Sequence, residues 1–409
     1  MGGSAVDAIA SSDGTASYKA SAAKARGLKR FGLAAAFALL LGVVGLVLDG
    51  LNIAPVETFD RLIGDHRIAL LSPQATQQRS DIAIVLITED TLLDYDSRSP
   101  IDRGLLAEVV RAIDAAGPKA IGLDFIFDRG AKRDGELLAA ITAAKAPVVL
   151  GAIDARVPLT RVSLAHQREF FQRAGRPYGH FMLERKSGII DAGRDGRVRL
   201  VGQSYPDSSG PLAFSAVLAK AAGYTHEPAN RQIAWLRDPV DQPLFTTIEI
   251  PRHDPAAMQA TVAETLLGPL KEALQDRVVI VGGAMIDRDR HTTPLSVLDG
   301  STIHGVYIQA QAVAQRIDGN RDVWLLPWYI SLPAVAALGL ICFFVARFVK
   351  LRARSYVYEV VGLVLIGVLS CAAFWYWRLD VPSIALATAW LGGAIGGRMS
   401  TGAFQKFGL

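Results

Sequence analysis

Residues 81–127 read DIAIVLITEDTLLDYDSRSPIDRGLLAEVVRAIDAAGPKAIGLDFIF, and the order of patterns within them decides the fold. Ile82 to Ile87 is an unbroken apolar run rich in isoleucine and valine, the mark of a strand covered on both faces. An acidic turn follows. From Arg103 to Ala116, Leu105, Leu106, Val109, Val110 and Ile113 recur at helical spacing on one face, and Gly117-Pro118 stops the pattern. A second apolar run, Ala120 to Phe127, begins at once. Strand, amphipathic helix and strand in close succession form the crossover that joins parallel strands.

The same unit repeats downstream. A helix pattern over Gly135 to Lys145 leads into Val148-Val149-Leu150. Leu212 to Ala222 reads as a short helix ended by Gly223, Gln232 to Leu236 and Phe245 to Ile250 as weaker strands, and Val262 to Leu274 as a helix despite Gly268-Pro269. Arg277 to Val281 is a buried parallel-type strand, and Gly305 to Ile317 is a final helix. Between these, Gly188 to Val201 reads as two strands around an Asp195-Gly196 turn. The expected class is α/β: a mainly parallel sheet plus an antiparallel hairpin.

Of the 409 residues, 51% are hydrophobic and only 20% charged, and the apolar excess is concentrated in a few runs. Phe31 to Leu48 has eighteen uncharged residues, roughly 27 Å as a helix against a hydrocarbon thickness of about 30 Å. Its length and the following Asp49-Gly50-Leu51-Asn52 favour an anchor over a cleaved signal peptide. Trp328 to Ala346, Val360 to Trp377 and Val381 to Gly397 are three further candidates. The expected plan is a disordered cytoplasmic tail (1–27), a first span (28–49), an extracytoplasmic domain (50–323), a second span (324–346) and a basic cytoplasmic loop (347–359). Spans at 360–377 and 381–397 and a short cytoplasmic tail (398–409) complete it.

Charge supports that plan. The formal net charge is +4, yet segments 1–30, 347–359 and 398–409 hold eleven Lys and Arg against Asp7, Asp13 and Glu359. Positive charge beside apolar runs fixes membrane orientation, and the remainder is mildly acidic, which removes the main argument for a nucleic-acid partner. Trp324, Trp328 and Tyr329, and Trp375-Tyr376-Trp377, fall at span ends where aromatic residues favour the headgroup level. Gly392-Gly393-Ala394-Ile395-Gly396-Gly397 permits close helix approach, within this chain or in a homodimer. The two cysteines, Cys342 and Cys371, both lie inside apolar runs, so the polar domain must hold itself together by burial.

The ordered series of the Ile82 to Thr88 strand, Pro100-Ile101-Asp102-Arg103 before a helix, Gly122-Leu-Asp124-Phe-Ile-Phe127, the Asp195-Gly196 hairpin, Val278-Val-Ile-Val-Gly-Gly283, Thr292-Thr-Pro-Leu295 and His304-Gly-Val-Tyr-Ile-Gln-Ala310 resembles the CHASE sensor domain family, type two. The resemblance covers about residues 50–323, and three following spans match the family's usual arrangement. It implies an extracytoplasmic sensory module of the kind carried by adenylate cyclases, histidine kinases and serine/threonine kinases. No cyclase or kinase domain follows here, so the expectation is a multi-pass sensor in a bacterial cytoplasmic membrane acting through a separate effector. Pro100 to Arg103 also departs from the Trp-Pro-x-x-Arg-like run frequent in the family.

In open α/β sheets, ligands gather beyond the carboxyl ends of the strands. Three strands deliver acids there: Glu89 and Asp90 after the first, Asp124 and Asp128 in and after the second, Asp287 and Asp289 after the late one. Arg103 opens a helix toward the same edge. Asp124 stands out among Leu123, Phe125 and Phe127, where a charged carboxylate needs a partner; a ligand and an ion pair with Arg103 are the two readings. Asp287-Arg288-Asp289-Arg290-His291 has metal-type ligands, but the interleaved arginines oppose a metal, so none is expected. Gly282-Gly283 does not complete a Gly-x-Gly-x-x-Gly loop, no Gly-Lys-Ser/Thr loop occurs, and no Gly-x-Ser-x-Gly elbow frames a nucleophile. Neither a cofactor nor an enzymatic activity is therefore expected. The rival to a sensor is an envelope scaffold or assembly factor that binds another exported protein.

Overall fold

A computed structural model describes residues 56–153, 160–184, 197–201, 212–286, 289–348 and 357–405, together with six single positions between 32 and 47. The chain divides into two compact units, one of residues 64–187 and 194–324, the other of 1–63, 188–193 and 325–409.

The first unit is built on a six-stranded sheet of β1 (Arg79–Thr88), β2 (Ala120–Asp124), β3 (Val148–Ala152), β4 (Tyr178–His180), β7 (Phe245–Glu249) and β8 (Val278–Ala284). Its order is β4-β3-β2-β8-β1-β7 and every pairing is parallel. Two helices, α2 (Arg103–Ala116) and α3 (Asp134–Ala143), make the expected crossovers, and α4 (Arg161–Ala174) connects β3 to β4. Asp102 caps α2 through its side chain and Gly117 ends it at φ 77°, a left-handed conformation that glycine adopts without cost. Alternate residues of each strand serve opposite faces. Val85, Ile121, Leu123, Val148, Leu150, Val279 and Val281 pack with α2, α3, α4 and α6 (Met258–Leu267). Ile82, Ile84, Leu86, Val149, Val278 and Ile280 pack with α5 (Phe214–Ala221) and α7 (Gly305–Asp318).

Several expectations need correction. The second apolar run ends as a strand at Asp124, not Phe127. Gln232 to Leu236 adds no strand: Gln232 makes only an isolated antiparallel bridge with Leu200, and beyond it side chains of α7 take the backbone, Ala234 N–H donating to Gln315 Oε1 (3.0 Å) and Leu236 N–H to Gln311 Oε1 (3.2 Å). The 262–274 helix begins earlier and stops at Gly268, since Pro269 cannot continue it, leaving only a 3-10 turn at Lys271–Ala273. An antiparallel pair exists, but β6 (Leu200–Val201) pairs with β5 (Leu183–Glu184); the expected Asp195-Gly196 turn lies outside the described residues. Unforeseen were α1 (Val56–Leu71), α4 and β4. The sequence of α4 is largely polar and buries only Gln167, Phe170, Phe171 and Ala174.

In the second unit, α8 (Trp328–Phe348), α9 (Val357–Trp377) and α10 (Ser383–Gln405) form. Among the described residues, only α8 and α9 are long and apolar enough to cross a membrane, against the four spans expected. The fourth run does form a helix, but its glycines and Arg398 dilute its apolarity. The first span and both tails lie largely or wholly outside the described residues. Gly393 takes the intramolecular use of its motif: a Cβ there would lie 2.2 Å from the Gly339 carbonyl oxygen of α8.

Candidate functional site

Strand β8, last in sequence, sits between β1 and β2. The helices after β1 and β2 lie on one face of the sheet and α7, after β8, on the other. Connections that part to opposite faces leave a crevice beyond the carboxyl ends of the strands. A cavity of about 940 Å³ occupies it. Its wall comes from Glu89 and the 97–101 segment after β1, from Asp124, Phe125, Ile126, Asp128 and Arg129 at the end of β2, and from Ile153, Phe181 and Leu183. Gly283 and Met285 after β8, Asp289, and Gly305 and Gln309 of α7 close it.

The structure therefore gathers Glu89, Arg103, Asp124, Asp128 and Asp289 around one space, as the sequence suggests. Asp124 follows Gly122, whose absent side chain would collide with Phe214 and Leu218 of α5, so both residues address the α5/α7 face. No hydrogen bond or ion pair reaches the Asp124 carboxyl among the described residues. Burial, and then the nearby Asp289 carboxylate, push it up to about 8.

Arg103 does not pair with Asp124. It lies across the sheet at the start of α2, 1% exposed, with Nε 3.2 Å from Asp134 Oδ1 and its guanidinium 4.8 Å from the Phe127 ring centre. Burial lowers its pKa, while Asp134, and then Asp128 and Asp102, oppose that shift. Arg103 Nη2 is buried without a partner among the described residues. Glu89 is paired with Arg98, and Asp128 with Arg129 at 3.4 Å. Asp289 accepts from the Gly305 N–H (3.1 Å) at the start of α7 and lies 2.9 Å from His291 Nε2.

The remaining candidates fall away from the cavity wall. Asp90 is exposed outside it, His291 reaches it only through Asp289, and Asp287 is outside the described residues. No group of three or more His, Cys, Asp or Glu positioned to hold a metal ion occurs among the described residues.

Sequence reasoning missed Gln309. It is 2% exposed, its Nε2 donates to the Phe181 carbonyl (3.0 Å), and its Oε1 is buried without a partner among the described residues. The signal was available, since Gln309 stands one helical turn after Gly305 at the mouth of α7 and shares its side of the helix. The apolar wall of Phe125, Phe181 and Met285 was not legible as a wall, because only the sheet edge brings those segments together.

No curated protein and no solved structure matches the chain significantly. The CHASE2 domain model matches residues 37–347, a stretch that contains all six strands of the sheet, the whole cavity wall and the helix leading out of it. With more than half of its length matched, the chain belongs to the CHASE2 domain family of extracytoplasmic sensory domains.

Proposed function

We propose that this protein is a membrane-bound sensor whose exported domain binds a ligand in the sheet-edge cavity and passes the change through its membrane helices to a separate cytoplasmic effector. The observation that carries this reading is the continuity between the cavity wall and the two elements that leave the domain. Gly305 and Gln309 belong to α7, and the chain runs from its end toward α8. On the other side, Asp289 precedes a segment in which the Thr292 carbonyl accepts from Val198 N–H (2.8 Å). Next to Val198, Arg199 grips Asp65 of α1 with Nε–Oδ1 at 2.8 Å and Nη2–Oδ2 at 2.6 Å. In sequence, α1 follows the apolar run 31–48. A ligand that binds one arrangement of the wall better than another shifts the population of that arrangement, and both outgoing elements move with it.

The basic stretch 347–354 offers a cytoplasmic partner a charged surface. Affinity purification of the tagged full chain from membranes tests the reading. Recovery of a cyclase, kinase or other cytoplasmic effector is the expected result. Recovery of exported proteins alone would replace signalling with a scaffold or assembly role.

A further inference from the structure

Two oxygen-bearing groups without a partner line the α5/α7 side of the cavity. Asp124 contributes a carboxyl with no partner, and Gln309 contributes a buried Oε1 whose orientation is fixed because Nε2 is already bound to Phe181 O. Asp289 adds a second carboxylate there, partly engaged by Gly305 and His291. Among the described residues that line the cavity, no buried side-chain donor without a partner accompanies them on that side. Among the residues of the cavity wall, the one buried donor without a partner, Arg103 Nη2, lies across the sheet plane at the start of α2. Phe125, Phe181 and Met285 give the cavity an apolar surface.

The geometry points to a small organic amine as the ligand, its ammonium group received by Asp124 and Gln309 Oε1, its apolar body against the aromatic wall, and a neutral oxygen at its far end accepting from Arg103. This assignment rests on the sensor reading above and adds the chemical class. A primary ammonium brings several N–H donors to a place where Asp124, once ionised by the ammonium beside it, and Gln309 Oε1 both accept. It also supplies the positive charge that Asp124 lacks, whereas the Glu89, Asp128 and Arg103 charges are already matched by Arg98, Arg129 and Asp134. A divalent cation fits less well, because six or more oxygen ligands are usual for calcium and the wall offers few that are free. An anionic ligand would place its charge beside Asp289, whose carboxylate already opposes a negative charge on Asp124.

The test uses the full chain in detergent and two measurements, thermal melting and calorimetric titration. The probes are tyramine, isoamylamine and ethanolamine as amines, hydroxyphenylacetate and isovalerate as anionic counterparts, and glycerol as a neutral donor. The expected result is stabilisation by amines, strongest for tyramine, which carries both an apolar body and a far hydroxyl, with none from the anions. Asp124→Asn keeps the shape of the side chain and should weaken tyramine about tenfold to a hundredfold, the effect of losing one charged hydrogen bond. Gln309→Leu should weaken it less. Binding of the anions or glycerol with no binding of amines overturns the ligand class and leaves the sensor reading standing. Amine binding unaffected by Asp124→Asn also overturns the assignment. If no amine binds, the ligand class is overturned, while the sensor reading stands or falls by the affinity purification above.

Discussion

Asp124 is an acid held where the neutral form is favoured, and this has a thermodynamic consequence independent of any ligand. Its carboxyl is pushed from an ordinary 3.8 to about 8 by burial and by Asp289. The folded protein therefore keeps a proton that the unfolded chain surrenders, so stability falls as pH rises through this window and is level above it. Asp124→Asn should abolish that fall. In denaturant titrations the variant should match the parent near pH 3 and exceed it by several kcal/mol above pH 8. A parent whose stability rises across the same range would show that Asp124 is charged and satisfied. The sequence exposed Asp124 because an acid amid Leu123, Phe125 and Phe127 is out of place. It did not reveal that Arg103 lies across the sheet, since the side on which a helix packs is not written in its own periodicity. Gln309 was overlooked for the opposite reason: a glutamine in a helix carries no anomaly until a cavity is found beside it.

At the scale of elements, strands and helices with strong apolar patterns were legible to within a few residues: α2 ends where Gly117-Pro118 says it must, and β1, β3 and β8 fall on their apolar runs. What failed was decided by partners. Gln232 to Leu236 has strand-like residues, but Gln311 and Gln315 take its backbone groups, and β4 forms because Gly179 lets it approach α5. A Cβ at Gly179 would lie 2.6 Å from the Phe214 Cα, a backbone atom that cannot turn aside. Gly179→Ala should cost about 1–3 kcal/mol in thermal or chemical unfolding, the usual range for overpacking. The Asp65–Arg199 grip makes a second prediction. Asp65 is 1% exposed, and its removal takes away the buried carboxylate that receives both Arg199 and Arg197. Asp65→Ala should lower stability by about 3–5 kcal/mol, whereas Arg316→Ala, breaking the exposed pair with Glu227, should cost less than about 1 kcal/mol. Equal losses in the two variants would deny Asp65 its anchoring role.

For the molecule as a whole, the division into a polar α/β unit and an apolar helical unit follows from where the hydrophobic residues are concentrated. In α9, Val360, Val361, Val364, Leu365, Val368 and Leu369 remain exposed, a surface that water disfavours and lipid tails accept. With the orientation proposed from the charge pattern, a reporter active only outside the cytoplasm should work when fused at residue 200 and fail at residue 352; the reverse would invert the topology. The number of spans was the weakest expectation, because a run rich in glycine can be helical without being apolar enough to qualify.

The position of β8 imposes an order on synthesis. Strands β1 and β2 share it as their common neighbour, so neither can pair with that neighbour until Val278–Ala284 has been made and has reached the same compartment. Until then the nascent chain carries two apolar strands with bare edges, the kind of surface that seeds aggregation. Pairing that spans nearly two hundred residues is also slow to find. Folding of this protein should accordingly depend on holdases that shield the strands until the sheet can close around its last member.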